Sequence, residues 1–240
     1  MEYLHRFNSV QEFQGAYYSE DYEQPWIGAI GSRDSAEPPV MSYNKFNDNG
    51  YEWVDLGLPS GTLWATMNIG ANSPEEVGMK VAWGEISSRA SNTYNLANYK
   101  WGNVTGKTYQ ASAMTKYNQT DNLFYLEPDD DLAHVLWGGS WSTPSTVEIS
   151  ELLSNTTYSY VTGNTPYYVY TSKINGNQLR FCPYEQMHWS NEIYSYNVCY
   201  NAQAFGITWR SDKDYRTISA WGRYADLPVR PVIIMPQLAR

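Results

Sequence analysis

The sequence predicts an α+β domain of short strands, two helices and long loops, preceded by an N-terminal helix and an extended arm. Three observations predict it. The aromatic content is dominated by 22 Tyr and 10 Trp against 6 Phe, residues that bury a ring while keeping a polar handle. They fall in many short segments separated by Gly, Asn and Ser, the pattern of a strand-and-turn domain. Two helix-start signals then stand close together in the middle of the chain. A hydrophobic fraction of 42% with only 17% charged residues excludes a disordered composition, and 240 residues suffice for one large domain with an appendage.

The elements follow in order. Residues 9–19 read as a short amphipathic helix, with Ser9 and Glu12 as a capping box and Val10, Phe13 and Tyr17 on one face. So short a helix needs a partner surface. The stretch to about 48 is acidic, contains Pro25, Pro38 and Pro39, and reads as an arm. This divides the chain into an attachment segment, 1–48, and a domain, 49–240. In the domain, Trp53-Val54-Asp55-Leu56, Leu63-Trp64-Ala65-Thr66 and Val81-Ala82-Trp83-Gly84 are strand candidates, and residues 86–125 show little periodicity and are expected as long surface loops. A helix is predicted over 129–137, with Asp129, Asp130 and Asp131 in its first turn and Gly138-Gly139 ending it. A second follows Pro144, with Ser145 and Glu148 as a capping box and Val147, Ile149, Leu152 and Leu153 as apolar contacts. Asn175-Gly176 predicts a hairpin turn between 168–173 and 178–182, and 229–234 is the last strand.

Charge restricts the partners. Ten acidic and three basic side chains within residues 1–55 place −7 of the net −9 there. Neither the basic footprint of a nucleic-acid binder nor a polybasic membrane patch is present. No run approaches a membrane span, and the opening Met1-Glu2-Tyr3-Leu4-His5-Arg6 lacks the apolar core of a signal peptide. Cys182 and Cys199 are expected as buried free thiols rather than a disulfide scaffold.

An ordered series of segments resembles a known family. It runs Tyr51-Glu52-Trp53-Val54-Asp55-Leu56-Gly57-Leu58-Pro59-Ser60-Gly61-Thr62-Leu63-Trp64-Ala65-Thr66, Asn68-Ile69-Gly70-Ala71, Ala82-Trp83-Gly84-Glu85, Asp130-Asp131-Leu132-Ala133, Trp137-Gly138-Gly139-Ser140-Trp141, Thr143-Pro144, Glu151-Leu152-Leu153 and Pro228-Val229-Arg230-Pro231-Val232. Together these cover about 51–235 and are similar to the Fibrobacter succinogenes major paralogous domain family of Bacteroidetes and their phages. The resemblance implies a C-type-lectin-like fold: two helices, a mixed and mostly antiparallel sheet, and long loops on one side. It also implies a ligand-displaying role, as in phage receptor-binding proteins. The chain departs from the family at Ala204-Phe205-Gly206-Ile207-Thr208-Trp209-Arg210-Ser211, where many relatives have a Tyr-Trp-Ser-Ser-like strand. The leader, with Phe7-Asn8-Ser9-Val10, Phe13, Tyr17-Tyr18, Asp21-Tyr22 and Pro25-Trp26, is similar to that of virion proteins from phages of gut Bacteroidetes.

Binding is expected rather than catalysis. His5, His134 and His188 form no metalloprotease pattern, and Gly138-Gly139-Ser140-Trp141-Ser142 lacks the final Gly of a nucleophile elbow. Glu127-Pro128-Asp129-Asp130-Asp131 clusters oxygens, but it reads as a carboxylate-decorated helix start and no metal or cofactor is assigned. Trp137 and Trp141 are expected in the core. The functional lead is aromatic: nine Tyr between Tyr158 and Tyr200, interleaved with Asn, Ser and Gly, then Trp and Arg anchors. Such mixtures make adaptable binding surfaces. The candidate ligand contacts are Trp189, Tyr194, Tyr196, Tyr200, Trp209, Arg210, Trp221, Arg223 and Tyr224; the candidate attachment residues are Phe7, Val10, Phe13, Tyr17 and Trp26. The expectation is a head or tail fibre protein, made in the host cytoplasm and carried on the virion surface. Its arm would join other virion proteins, its domain would bind a host glycan or protein, and it would form a homotrimer, without nucleic acid or membrane insertion. The alternatives are a decoration protein with no host ligand and a Bacteroidetes surface adhesin.

Overall fold

The computed structural model describes residues 49–89, 95–102, 111–185, 187–210 and 213–234, with the backbone alone for 207–210 and 213–215. The chain divides into two units, Met1–Val40 and Met41–Arg240. All described residues lie in the second, so the predicted helix over 9–19, the arm and the five attachment residues fall outside them.

The domain is α+β; the described residues hold two α-helices, and the strand pairs among them are antiparallel. The first sheet is built from β1 (Trp53–Asp55), β2 (Leu63–Ala65), β4 (Trp141–Ser142) and β12 (Val232–Ile233), in the order β1-β2-β12-β4. β12 therefore lies between early and middle strands and closes the domain end to end. β3 (Lys80–Val81) pairs with β11 (Leu227–Pro228). The third sheet is the three-stranded meander β5 (Thr156–Val161), β6 (Tyr167–Ser172) and β7 (Gln178–Phe181). The fourth, also three-stranded, is β8 (Met187–Ile193), β9 (Asn201–Arg210) and β10 (Lys213–Gly222), with β10 at its edge among the described residues.

Both helices begin where the capping signals place them. In α1 (Leu132–Trp137), Asp131 is the N-cap and accepts from the Ala133 N–H at 2.9 Å. The helix starts three residues later than predicted because Pro128–Asp130 forms a 3₁₀ turn. Gly138, at φ +68°, ends it in a conformation that costs a Cβ-bearing residue strain. In α2 (Thr146–Asn155) the capping box is complete, with Ser145 Oγ accepting from Val147 N–H and the Glu148 carboxylate accepting from Ser145 N–H at 2.8 Å. Ile149 and Leu152 are fully buried and Leu153 packs beside them, but Val147 is 69% exposed. Val147 stands two residues, about 200° of helix, from Ile149, so the expectation that it packs inward is wrong.

Two apolar clusters fill the domain. The first centres on Trp83, Trp141, Trp189 and Tyr117; the second centres on Trp64, Tyr170, Phe181 and Phe205. Trp83 Nε1 donates to Ser190 O and Trp189 Nε1 to Val81 O, each at 2.8 Å, so the β3 segment and β8 clasp each other by reciprocal indoles. Trp137 and Trp141 meet edge to face at 5.0 Å, in the core as predicted. Cys182 and Cys199 are buried and free. The Asn175-Gly176 turn is a five-residue connection, 173–177, in which Asn175 and Asn177 donate to Asp55 O and tie the hairpin to β1.

The stretch 86–125 is not merely surface loop. It supplies Tyr99, Trp101, Met114 and Tyr117 to the first cluster. Its turns are organised by side chains rather than a ladder. Asp121 accepts from the N–H groups of Tyr117, Asn118 and Leu123, and Asn95 accepts from those of Ala97 and Asn98. Such turns leave no hydrophobic period to read.

Candidate functional site: an aromatic rim beside strand 8

One end of the β8–β9–β10 sheet carries exposed aromatic side chains. Tyr125 is 55% exposed, Tyr194 46% and Trp221 42%. The backbone explains their proximity. Residues 124–126 run antiparallel to the end of β8, with Ile193 N–H donating to Phe124 O at 3.0 Å, Leu126 N–H to Asn191 O at 2.8 Å, and Tyr125 bridged to Glu192. Tyr194 N–H donates to Asn201 O, and Asn201 pairs in turn with Gly222. Tyr125 and Tyr194 therefore stand side by side at the end of β8, and Trp221 stands two strands away on β10, in the row of Ala202 and Ile193.

The rim is held from beneath. Phe124 contacts Tyr125 at 5.3 Å and Tyr196 at 5.6 Å, both edge to face, and Tyr196 OH donates to Asn122 O at 2.9 Å. Ser195 caps the 3₁₀ turn Tyr196–Val198. Gly222 has no room for a Cβ, which would meet the Tyr224 ring at 2.7 Å. Edge-to-face aromatic contacts and capped turns fix ring positions.

Several residues predicted as ligand contacts have other places. Trp189 is 1% exposed and belongs to the core, its indole committed to Val81. Arg223 is fully buried. Its guanidinium donates to Tyr99 OH and to the carbonyls of Lys116, Tyr117 and Cys199, and lies 4.7 Å from the Trp83 ring centroid. It pins the 116–117 segment and the 196–199 turn to the sheet, so both residues are corrected from ligand contacts to framework. Tyr200 and Tyr224 are half-buried against the first cluster. Tyr196 is half-buried at the foot of the rim, while Tyr194 and Trp221 are exposed on it. Trp209 and Arg210 pair through their backbone with Asp214 and Lys213 near the hairpin tip; their side chains are outside the description. Tyr125 was missed because its segment has no strand signature: it borrows strand character from β8.

The acidic run is committed to structure. Asp130 accepts from Lys100 Nζ at 2.8 Å, Lys116 Nζ at 2.5 Å and Tyr117 OH at 2.7 Å. Burial pushes its carboxyl up, but these three donors outweigh burial and hold it below the ordinary carboxylate value. Asp131 accepts from Ala133 N–H and from Thr143 N–H and Oγ1; burial pushes it up against those bonds. Among the described residues no group of three or more His, Cys, Asp or Glu is arranged to hold a metal ion. His188 is fully buried, stacked on Phe205 at 5.1 Å, with burial and then Arg230 pushing its pKa well below the ordinary value. His134 is exposed on α1. No helix among the described residues is long and apolar enough to cross a membrane.

The chemistry the rim offers is ring stacking and hydrogen bonding from a rigid support. The chain matches no protein-family model, no curated protein and no solved structure.

Proposed function

We propose that this chain is a binding module of C-type-lectin-like fold, carried on a phage virion as a head or tail fibre component, whose aromatic rim engages a glycan or protein on the host surface. The observation that carries the reading is the rim itself: three large aromatic side chains left 42–55% exposed at one end of the β8–β9–β10 sheet and the segment beside it, next to a core with abundant aromatic residues already buried. Exposed aromatics grouped on rigid backbone are the usual anchors of recognition surfaces. The lectin-like assignment draws on the family resemblance of 51–235, on the two short helices, and on the long irregular segments that pack beside antiparallel strands. The virion assignment draws on the resemblance of the leader. On this reading the N-terminal segment attaches to another virion protein and the domain faces outward. A homotrimer would multiply weak contacts through effective concentration. Recognition proceeds by stacking and hydrogen bonding, with no covalent step.

The test is direct binding. Fluorescently labelled full-length chain is expected to bind cells of some gut Bacteroidetes saturably and to be displaced by unlabelled chain. Absence of saturable binding across a broad panel of such cells would overturn the proposal.

A further inference from the structure

Strand β10 carries a short stripe that the sequence did not single out. Thr217, Ser219 and Trp221 stand at alternate positions and so share one face, spaced roughly 7 Å apart along the strand. Their cross-strand partners on β9 are Gly206, Ala204 and Ala202. None of these has a side chain long enough to lie over the indole, and β10 is the edge of its sheet. Thr217 and Trp221 are exposed and Ser219 is partly exposed. Arg216 and Ile218, at the intervening positions, turn to the other face. The Arg216 guanidinium reaches Thr156 O and the Tyr158 ring, and Ile218 packs on the second core cluster.

The hydrogen bonds within the stripe define what it has left to give. Trp221 Nε1 donates to Ser219 Oγ at 3.2 Å. That bond satisfies the polar edge of the indole, and the residue remains 42% exposed. Ser219 accepts this bond and so keeps its own proton to donate. Thr217 Oγ1 donates to Ile218 O at 3.2 Å and so keeps lone pairs to accept. The stripe therefore presents an apolar π-face, then a donor, then an acceptor. None of its three side chains is ionisable.

From this juxtaposition we infer that Trp221, Ser219 and Thr217 form a subsite for one uncharged sugar ring, which stacks on the indole and exchanges hydrogen bonds with the two hydroxyls. A sugar ring presents axial C–H groups on a flat face and hydroxyls that both donate and accept, which is the complement of this stripe. An anionic ligand would find no cation on it. A protein loop would gain little from two isolated hydroxyls, since apolar anchors in such interfaces rely on surrounding pockets. The inference rests on the binding reading above and narrows its ligand to the carbohydrate class.

The experiment uses full-length chain and cells that bind it, treated with periodate to cleave sugar diols or with protease to strip proteins. Periodate is expected to lower binding at least about tenfold while protease leaves it within about threefold. Trp221→Ala is expected to lose at least about tenfold, the loss of one hot-spot side chain. Trp221→Phe, which keeps a ring face, is expected to stay within about fivefold, and Thr217→Val to lose about threefold to tenfold. Thr217 and Trp221 are both exposed, and an unchanged unfolding midpoint verifies that each variant folds. Binding abolished by protease but resistant to periodate would overturn the sugar inference and leave the binding reading standing. So would full binding by Trp221→Ala. No binding to any untreated cell would overturn both.

Discussion

Single residues show how this domain divides its aromatic and charged side chains between framework and surface. Arg223 and Arg230 are both fully buried with no carboxylate salt bridge among the described residues, a costly arrangement unless neighbouring acceptors replace water. Main-chain carbonyls, the Tyr99 hydroxyl, the Asn68 amide oxygen and rings do so for Nε and Nη1 of each guanidinium, while each Nη2 is left without a hydrogen bond among the described residues. Arg230 donates to Asn68 Oδ1 and to the carbonyls of Ala65 and Thr66, and stacks 4.4 Å from the Phe181 centroid. Burial pushes its pKa down to about 9, so it remains charged at neutral pH. Phe181 also meets His188 edge to face at 5.3 Å, and the two ring nitrogens of His188 have no hydrogen-bond partner among the described residues. Protonating it would add a second buried cation beside Arg230. The sign follows from linkage. Above about pH 6.5 the imidazole is neutral in both folded and unfolded chains. Below that the unfolded chain takes up a proton that the folded one refuses, so stability falls as pH drops from 6.5 toward the depressed folded pKa, by up to about 1.4 kcal/mol per pH unit. Asp130, held low by its lysines, adds a loss only as pH falls through the ordinary carboxylate value near 3.8. Denaturant titrations between pH 7.5 and 4.5 should therefore show a steeper loss in the parent than in His188→Leu. Equal slopes would mean that His188 titrates normally.

At the scale of elements, local chemistry sets the boundaries and tertiary contacts set the rest. The α2 capping box joins two side chains and two backbone groups within four residues, so it was legible in Ser145 and Glu148 alone. Ser145→Ala is expected to cost about 1 kcal/mol, read as a shift in the denaturation midpoint at unchanged slope. An unchanged midpoint would mean that packing of Ile149 and Leu152 holds the helix without its cap. The β9–β10 hairpin depends on more distant contacts. Ten residues on each strand pair in continuous register, but β8 supports β9 only between Gly206 and Ala202, with a register shift between Trp189 and Ile193. The extra residues in that shift let Asn191 and Ile193 bind the 124–126 segment on the opposite edge. The irregularity in β8 thus allows one strand to position both Tyr125 and Tyr194. Nothing in residues 187–193 marks it in advance, because a bulge changes no hydrophobic alternation by itself.

The whole molecule shows which parts of the site the sequence could yield. Tyr194 and Trp221 stand among the sequence candidates because mixtures of Tyr, Trp and Asn draw attention to the late strands. Trp189 and Arg223 were drawn in by the same signal, although one fills the core and the other braces it. Composition cannot separate these roles: an indole with its N–H bonded to a distant carbonyl, as in Trp189, and one with its N–H bonded two residues away, as in Trp221, are the same letter. The stripe of Thr217 and Ser219 was invisible because its meaning depends on the small partners opposite. The loops of 86–125 were misjudged because irregular turns bury aromatics without a period. What emerges is a framework saturated with internal aromatic contacts and a rim that exceeds what the framework needs.

The most direct measurement compares stability and cell binding in one variant, Tyr125→Ala/Tyr194→Ala/Trp221→Ala. If the rim serves recognition, unfolding free energy should change by less than about 2 kcal/mol while saturable binding falls at least about tenfold. Binding that persists in a folded variant, or disappears only because the domain no longer folds, would contradict a rim devoted to a ligand.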